Sequence, residues 1–368
     1  MIYISYIVIT FLVMRLGVAI ANLLFVQSPS RLNNCKGNPL ISILIPARNE
    51  EQNLPGLLDS ILNTEYNHYE VLVYDDESTD NTLKVIQQYQ RRDARIKPLE
   101  GEGLPEGWLG KTRACHNLAL KAKGEYLVFL DADVRIGKEL IPKTVGYLKQ
   151  KKLALLSIFP KQQMITTGEK LIVPIMNWIL LTLLPLSFIR LVRNPSLSAA
   201  NGQFMLFDAG IYKKNVWHQQ VKGTMVEDIQ ISRLIKQAGY KTDTIIGDDQ
   251  LTCRMYTGFR NAFHGLSRSM MAFFGNSIVF LVLFCVITTA GFIPVFLSMG
   301  LIHGLVYVAC SLLLNVFFSI TSRQPVMRNM AYIIPRQVIF IGIAIFSIIK
   351  KLKGKHKWKG RIISSDMS

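Results

Sequence analysis

The feature that most constrains the fold is a pair of apolar runs that each end in two acids. Tyr126-Leu127-Val128-Phe129-Leu130 leads straight into Asp131-Ala132-Asp133, and Val71-Leu72-Val73-Tyr74 leads into Asp75-Asp76. A short, unbroken apolar run bounded by Gly124 and by charge reads as a strand buried on both faces of a parallel sheet. Open parallel sheets bind ligands at the carboxyl ends of their strands. Asp-x-Asp at that end places two hard oxygen donors where a divalent cation and a diphosphate can meet. Two independent strand-then-acid endings in one chain point to one site.

The rest of residues 40–165 supports such a sheet, because strand and helix signals alternate. Leu40–Pro46 reads as a first strand, with Pro46 ending it because proline donates no ladder hydrogen bond. Leu54, Leu57, Leu58, Ile61 and Leu62 recur at helical spacing within 50–63. A strand over 70–74, a helix over about 80–89, a Gly/Pro-rich loop at 98–110, a helix near 112–123 and the strand at 126–131 complete the series. Alternation of this kind implies a doubly wound, mostly parallel α/β sheet.

Outside this region the chain is greasier. Half of its 368 residues are hydrophobic. Residues 2–26 are long enough to span a bilayer, although Arg15 interrupts them. No basic stretch precedes them and no small-residue cleavage site comes after, so they read as an anchor, with a Ser/Pro/Asn/Gly linker at 27–39. Residues 171–192 are apolar nearly throughout and contain Pro174 and Pro185. A full span there would put Glu227-Asp228 on the opposite side of a membrane from the first two acid clusters. The segment therefore reads as an in-plane or re-entrant helix or as a core helix. Residues 277–299 and 303–320 read as a transmembrane hairpin. Residues 331–349 carry Pro335 and Arg336 and lie between two basic segments, 322–329 and the tail 350–368, which reads as a cytoplasmic tail. Basic flanks favour one side of a membrane, so 331–349 reads as interfacial or re-entrant.

The formal net charge is +17. It concentrates beside apolar segments, as in the run from Lys350 to Arg361, and no nucleic-acid module is present, so anionic lipid is the expected partner and nucleic acid is not. Five cysteines are scattered singly, without metal-site or disulfide spacing. Free thiols suit a reducing cytosol.

Five landmarks in order then carry a resemblance: Pro46-Ala47-Arg48-Asn49-Glu50; Asp75-Asp76-Glu77-Ser78-Thr79-Asp80; Trp108-Leu109-Gly110-Lys111 with Asn117; Asp131-Ala132-Asp133; and Glu227-Asp228. Over about residues 40–275 the chain resembles a family-2 glycosyltransferase with the GT-A nucleotide-sugar-binding fold. Within that family it is similar to membrane-anchored bacterial enzymes that glycosylate lipids, including carotenoid acids and hopanoid-associated lipids. The resemblance implies that Pro46, Ala47 and Glu50 line the nucleoside, that Asp76 accepts from the base edge, and that Asp131 holds ribose or base. It implies Asp133 as ligand of a magnesium or manganese ion and Asp228 as the base that activates the acceptor.

Lys111, in a loop before a helix, suits a diphosphate, and is otherwise a solvated surface lysine. The acids at 75–80 equally suit a helix N-cap formed by Ser78 or Asp80, and Glu227-Asp228 equally suits an acidic first turn. A Gln-x-x-Arg-Trp motif of processive synthases is missing. In its place stand Arg254, His264 and Arg268, which reach the diphosphate or face lipid headgroups.

The expected activity is inverting transfer of one sugar, from a donor such as UDP-glucose, to a membrane lipid such as a carotenoid. The expected location is the cell membrane, multi-pass, with a cytoplasmic catalytic domain. A polysaccharide synthase and a non-catalytic membrane scaffold are the alternatives. The sequence does not fix the oligomeric state.

Overall fold

The computed structural model describes residues 1–224, 226–353, 356–358 and 361–363. The described chain divides into two units: Gln27–Gln162 with Leu186–Arg254, and Met1–Val26 with Gln163–Pro185 and the helices from Gly258 to Leu352.

The first unit is built on a seven-stranded sheet. Its strands are β1 (Ile41–Ala47), β2 (Tyr69–Asp75), β3 (Ile96–Glu100), β4 (Tyr126–Leu130), β6 (Leu155–Phe159), β8 (Phe204–Asp208) and β9 (Thr242–Ile246), in the order β3-β2-β1-β4-β8-β6-β9. Three short strands, β5 (Val134–Ile136), β7 (Lys161–Gln162) and β10 (Leu251–Cys253), form a second sheet in the order β5-β10-β7. The long sheet is parallel except at β8, which runs antiparallel to both β4 and β6. This is the mostly parallel α/β sheet that strand–helix alternation implies.

Ile41, Ile43, Leu44, Ile45, Val71, Val73, Leu127, Val128 and Leu130 have no exposed surface. Each such side chain contributes roughly 1.5–3 kcal/mol through burial, which is why the central strands read as unbroken apolar runs.

Two local expectations are corrected. Pro46 does not end β1. It pairs in register with Tyr74, and Ala47 closes the strand opposite Asp75. Proline is tolerated there because the β4 side of the ladder has already stopped at Leu44 opposite Phe129. Nor does the strand expected over 126–131 reach Asp131. β4 stops at Leu130, and the Val134 amide donates to the Asp131 carbonyl at 3.3 Å, closing a turn between β4 and β5. The helices run over Leu54–Leu62, Thr82–Arg92 and Gly110–Lys121, so Lys111 lies in a first helical turn rather than in the preceding loop.

The second unit is helical. Among the described residues, three of its helices are long and apolar enough to cross a membrane: Ile2–Phe25, Leu301–Thr321 and Ile333–Leu352. Only 28%, 22% and 28% of their apolar windows are buried in protein, so most of that surface faces outward. The stretch expected as the first arm of a hairpin is instead two helices, Ile278–Ala290 and Phe292–Met299, broken at Gly291. Gly258–Phe273 and Ile278–Ala290 meet at 109°.

The segment expected to be interfacial is one continuous helix. Pro335 falls in its first turn, where a missing N–H costs little, and Arg336 is buried against Asn315. The apolar stretch from 171 forms the end of the helix Thr167–Leu183, packed among Ile2–Phe25, Gly258–Phe273, Leu301–Thr321 and Ile333–Leu352. It ends before Pro185. A capping box starts it: Thr166 Oγ1 accepts from the Glu169 amide at 3.3 Å and buried Glu169 accepts from the Thr166 amide at 3.4 Å, and Glu169 also accepts from the amides of Ile165 (2.6 Å) and Gly258 (2.8 Å). A Cβ on Gly168 would lie 2.6 Å from the Cβ of Phe259, so only glycine allows this helix crossing. The basic tail beyond Lys353 lies largely outside the described residues.

Candidate active site

The carboxyl ends of β1, β2 and β4 open on one edge of the sheet, and the predicted acids of the first unit cluster there. Two loops form the platform beside β1 and β2. The Asn49 amide donates to Ser78 Oγ (3.0 Å), the Thr79 amide to Asn49 Oδ1 (2.8 Å), the Glu50 amide to Thr82 Oγ1 (2.8 Å) and the Glu51 amide to Asp80 Oδ2 (3.2 Å). Asn49 (φ 53°) and Glu77 (φ 55°) take left-handed backbone to make these turns, which marks a shaped loop pair rather than a slack one.

Asp80 does tie down the helix start, through its bond from the Thr82 amide at 2.9 Å, although Asn81 is the N-cap residue. Asp76 is separate from that cap. It is buried, its amide donates to the Ala47 carbonyl (2.8 Å), and Arg48 stands 3.5 Å from its carboxylate. The Oδ1 atom of Asp75 is buried and accepts from no group among the described residues. Sequence reasoning singles out Asp76 and passes over Asp75 and Arg48.

Beyond β4 the acids meet Lys111. Its ammonium lies 2.8 Å from Asp131 Oδ1 and 3.4 Å from Glu227 Oε1, with a quarter of the side chain exposed. Burial alone would pull the lysine's pKa down. The facing carboxylates of Asp131 and Glu227 outweigh it and hold the pKa well above the ordinary value. Lys111 is therefore a fixed cation in the first turn of Gly110–Lys121, where the helix dipole adds to its field.

Glu227 and Asp228 open the helix Glu227–Gln237. Asp228 Oδ2 accepts from the Gly202 amide at 2.9 Å, and Oδ1 from the Ile229 amide at 2.8 Å. Burial raises the pKa of both acids, and each is close to the Lys111 ammonium that pulls it back; Glu227 is pushed up to about 7.

Asp133 sits on the other side of the turn. Gln203 Nε2 approaches its carboxylate at 3.4 Å and donates to Cys253 Sγ at 2.8 Å. Burial first, then the neighbouring charge of Asp131, push Asp133 up to about 6. Two adjacent carboxylates of which one is driven toward protonation suit a cation between them. Among the described residues no three His, Cys, Asp or Glu side chains form a complete metal cage. That donor set fits magnesium or manganese, which takes one or two carboxylates and completes its shell with phosphate oxygens and water.

The sequence reading does not single out Gly202, yet it is central. A Cβ on it would stand 2.9 Å from Lys111 Nζ, 3.5 Å from Glu227 Oε1 and 3.6 Å from Asp228 Oδ2. Glycine here keeps open the space that the lysine and both acids face.

Arg254 comes directly after β10, whose Cys253 pairs with Val134, the residue after Asp133. His264 and Arg268 instead lie on the helix Gly258–Phe273 of the helical unit, where His264 packs against Phe346 with ring centroids 5.3 Å apart. The sheet unit thus brings together Lys111, Asp131, Asp133 and Asp228, with Glu50 close enough to add to the repulsion on Asp133. Pro46, Ala47 and Asp76 stand at the adjoining strand ends.

A mostly parallel sheet with this acid-and-lysine edge, preceded and followed by apolar helices, defines a GT-A-like α/β protein. The chain aligns over 95% of its length, and over 99% of the other chain, with the mannosyltransferase PcManGT from Pyrobaculum calidifontis in complex with GDP-Man and Mn2+. The TM-score is 0.56 and the identity 15%, which establishes a shared fold.

Residues 42–215 match the family described as Glycosyl transferase family 2, and the chain carries a domain of that family. It is 26% identical over 233 residues to a 4,4'-diaponeurosporenoate glycosyltransferase of Staphylococcus haemolyticus, covering 62% of this chain and 60% of that protein. It is 26% identical over 146 residues to a beta-monoglucosyldiacylglycerol synthase of a Nostoc species, covering 39% of this chain and 31% of that one. The match therefore spans less than two thirds of either relative.

Proposed function

We propose that the chain transfers one sugar, with inversion, from a nucleotide diphospho-sugar to a membrane lipid. The observation that carries this reading is Lys111 clamped between Asp131 and Glu227, with Asp228 across the gap that Gly202 leaves open. A permanent cation, a base and an unfilled space between them are what displacement of a diphosphate requires.

Each residue has its own part in the transfer. The latched loops at Ala47–Glu50 and Asp75–Asp80 receive the nucleoside, with buried carboxylate oxygens of Asp75 and Asp76 as acceptors for its N–H and O–H groups. Lys111 holds the diphosphate by charge and, at the head of its helix, by the dipole. Asp228 takes the proton from the acceptor hydroxyl as that oxygen forms its bond to the anomeric carbon. For a carboxylate acceptor, which has no proton to lose, Asp228 only orients it. The bond from that carbon to the phosphate oxygen breaks on the opposite face, so one displacement inverts the configuration. The raised pKa of Asp228 suits a base that must accept a proton near neutral pH. Asp133, with Asp131 beside it, would hold magnesium or manganese, whose charge offsets that of the departing diphosphate.

The three apolar helices, and relatives whose names include a carotenoid acid and a diacylglycerol product, support a lipid acceptor and a multi-pass location in the cell membrane. Nucleotide-sugars and the five free thiols favour the cytosol for the catalytic unit. UDP-glucose and a carotenoid-type lipid are the first donor and acceptor to try.

The test is to incubate the full chain in membranes with UDP-[14C]glucose and manganese, extract the lipids, and analyse them by chromatography and mass spectrometry. The expected product is a lipid bearing one sugar, formed about 10²–10⁴ times more slowly with Asp228→Asn. Label confined to water-soluble hydrolysis products or to a polymer, with every nucleotide-sugar tried, would overturn the reading.

A further inference from the structure

Within the helical unit, Ile2–Phe25, Thr167–Leu183, Leu301–Thr321 and Ile333–Leu352 contribute to a mostly apolar cavity of about 600 Å3. That is the size of a small-molecule site. Two arginines line it, and both are buried: Arg15 is 4% exposed and Arg336 5%. Each sits on a helix apolar enough to span a bilayer.

Arg15 is accounted for. Its Nε and Nη2 donate to Thr182 Oγ1 at 3.1 and 2.6 Å, and its guanidinium lies 4.8 Å from the ring centroid of Trp178. Arg336 is not. Its Nη2 donates to Asn315 Oδ1 and its guanidinium lies 5.2 Å from the Phe318 centroid, but Nη1 is buried and has no acceptor among the described residues. Among the described residues no carboxylate pairs with either arginine. An ionised side chain within apolar helices is held there only by a counter-charge or by function. A guanidinium fork suits a carboxylate or phosphate, and apolar walls suit a hydrocarbon chain.

We propose that this cavity binds an anionic membrane amphiphile, with its carboxylate or phosphate group on Arg336 and its hydrocarbon chain along the apolar walls. The anion completes the Arg336 fork, and Arg15 adds a second positive charge to the same cavity. The site stands whether or not the transfer reaction is the one proposed above, because its readout is binding.

The experiment uses the purified full chain, delipidated in a neutral detergent, with bound lipid counted by native mass spectrometry. The probes are oleate, 1-oleoyl lysophosphatidate, oleyl alcohol and inorganic phosphate. At least one of the two acids should bind tenfold or more tightly than the alcohol of equal chain length, and the one that does identifies the head group as carboxylate or phosphate. Inorganic phosphate should compete poorly, since it lacks the chain. Arg336→Gln should reduce binding of that acid to the level of the alcohol. Ser311→Trp, which fills the cavity and leaves the arginine in place, should remove both and serves if the arginine variant fails to fold. Equal binding of acid and alcohol, competition by inorganic phosphate as strong as by the lipid, or unchanged acid binding in a folded Arg336→Gln or Ser311→Trp variant would overturn the proposal.

Discussion

Replacing Glu227 by glutamine tests the electrostatics of the site without reference to any substrate. The Glu227 side chain is 13% exposed and its Oε1 lies 3.4 Å from Lys111 Nζ. Burial holds a proton on it, Asp228 beside it adds repulsion, and Lys111 recovers only part, so the pKa rises from 4.5 to about 7. Between those two values the folded chain keeps a proton that the unfolded chain has released. Stability therefore falls as pH rises through that window. At 1.36 kcal/mol per pH unit the full loss is about 3 kcal/mol. Glutamine cannot ionise, so Glu227→Gln lacks this loss. For a unit of this size 1 kcal/mol moves Tm by about 2–4 °C, so the gap between variant and wild type should change by roughly 6–12 °C. The assay is the apparent Tm of the full chain in detergent, at one scan rate and without nucleotide, from pH 4.5 to 8. The variant should gain on the wild type as pH rises. A gap that stays constant across that range would refute a buried, proton-holding Glu227, and with it the account of how the acid pair is tuned.

Three further outcomes are expected. Asp228→Asn should lower kcat by about 10²–10⁴ while leaving the donor KM within a few-fold, measured by initial rates of lipid labelling. Gly202→Ala should push the Lys111 ammonium from its place, because the new Cβ would stand 2.9 Å from Nζ, raising donor KM about tenfold with little change in Tm. Asp133→Asn should abolish stimulation by manganese, and a chelator should silence the wild type but not lower the variant further, read from activity against metal concentration.

The parts of the fold that the sequence revealed are those in which one local signal decides the outcome. β1, β2 and β4 are buried on both faces, so their apolar runs could only be inner strands, and the acids after them had to emerge at the sheet edge. The helix Leu54–Leu62 announced itself by 3.6-residue spacing. What was misjudged was set by tertiary context. Pro335 and Arg336 looked like obstacles to a continuous helix, yet proline costs little in a first turn and the arginine finds Asn315 on a neighbouring helix. Residues 277–299 looked continuous because every residue is compatible with a span, whereas the helix breaks at Gly291, where a Cβ would run into the Ile287 carbonyl oxygen and lie 2.7 Å from Tyr307 Oη.

The role of Gly202 was hidden for a related reason, the direction of one strand. Strand–helix alternation implies parallel strands, and in a fully parallel sheet the residues before a strand lie at the edge remote from the ligand. β8 is reversed. Phe204, its first residue, pairs with Leu130, the last residue of β4. The three residues that precede β8 are thereby delivered to the turn that carries Asp131 and Asp133. The Asp131 amide donates to the Gln203 carbonyl at 3.3 Å, Gln203 reaches Asp133, and the Gly202 amide reaches Asp228. One antiparallel strand thus ties the acid turn after β4 to the acid pair that opens Glu227–Gln237, about a hundred residues later in the chain. Local patterning carries no signal for strand direction, so the acids were legible singly and their common anchor was not.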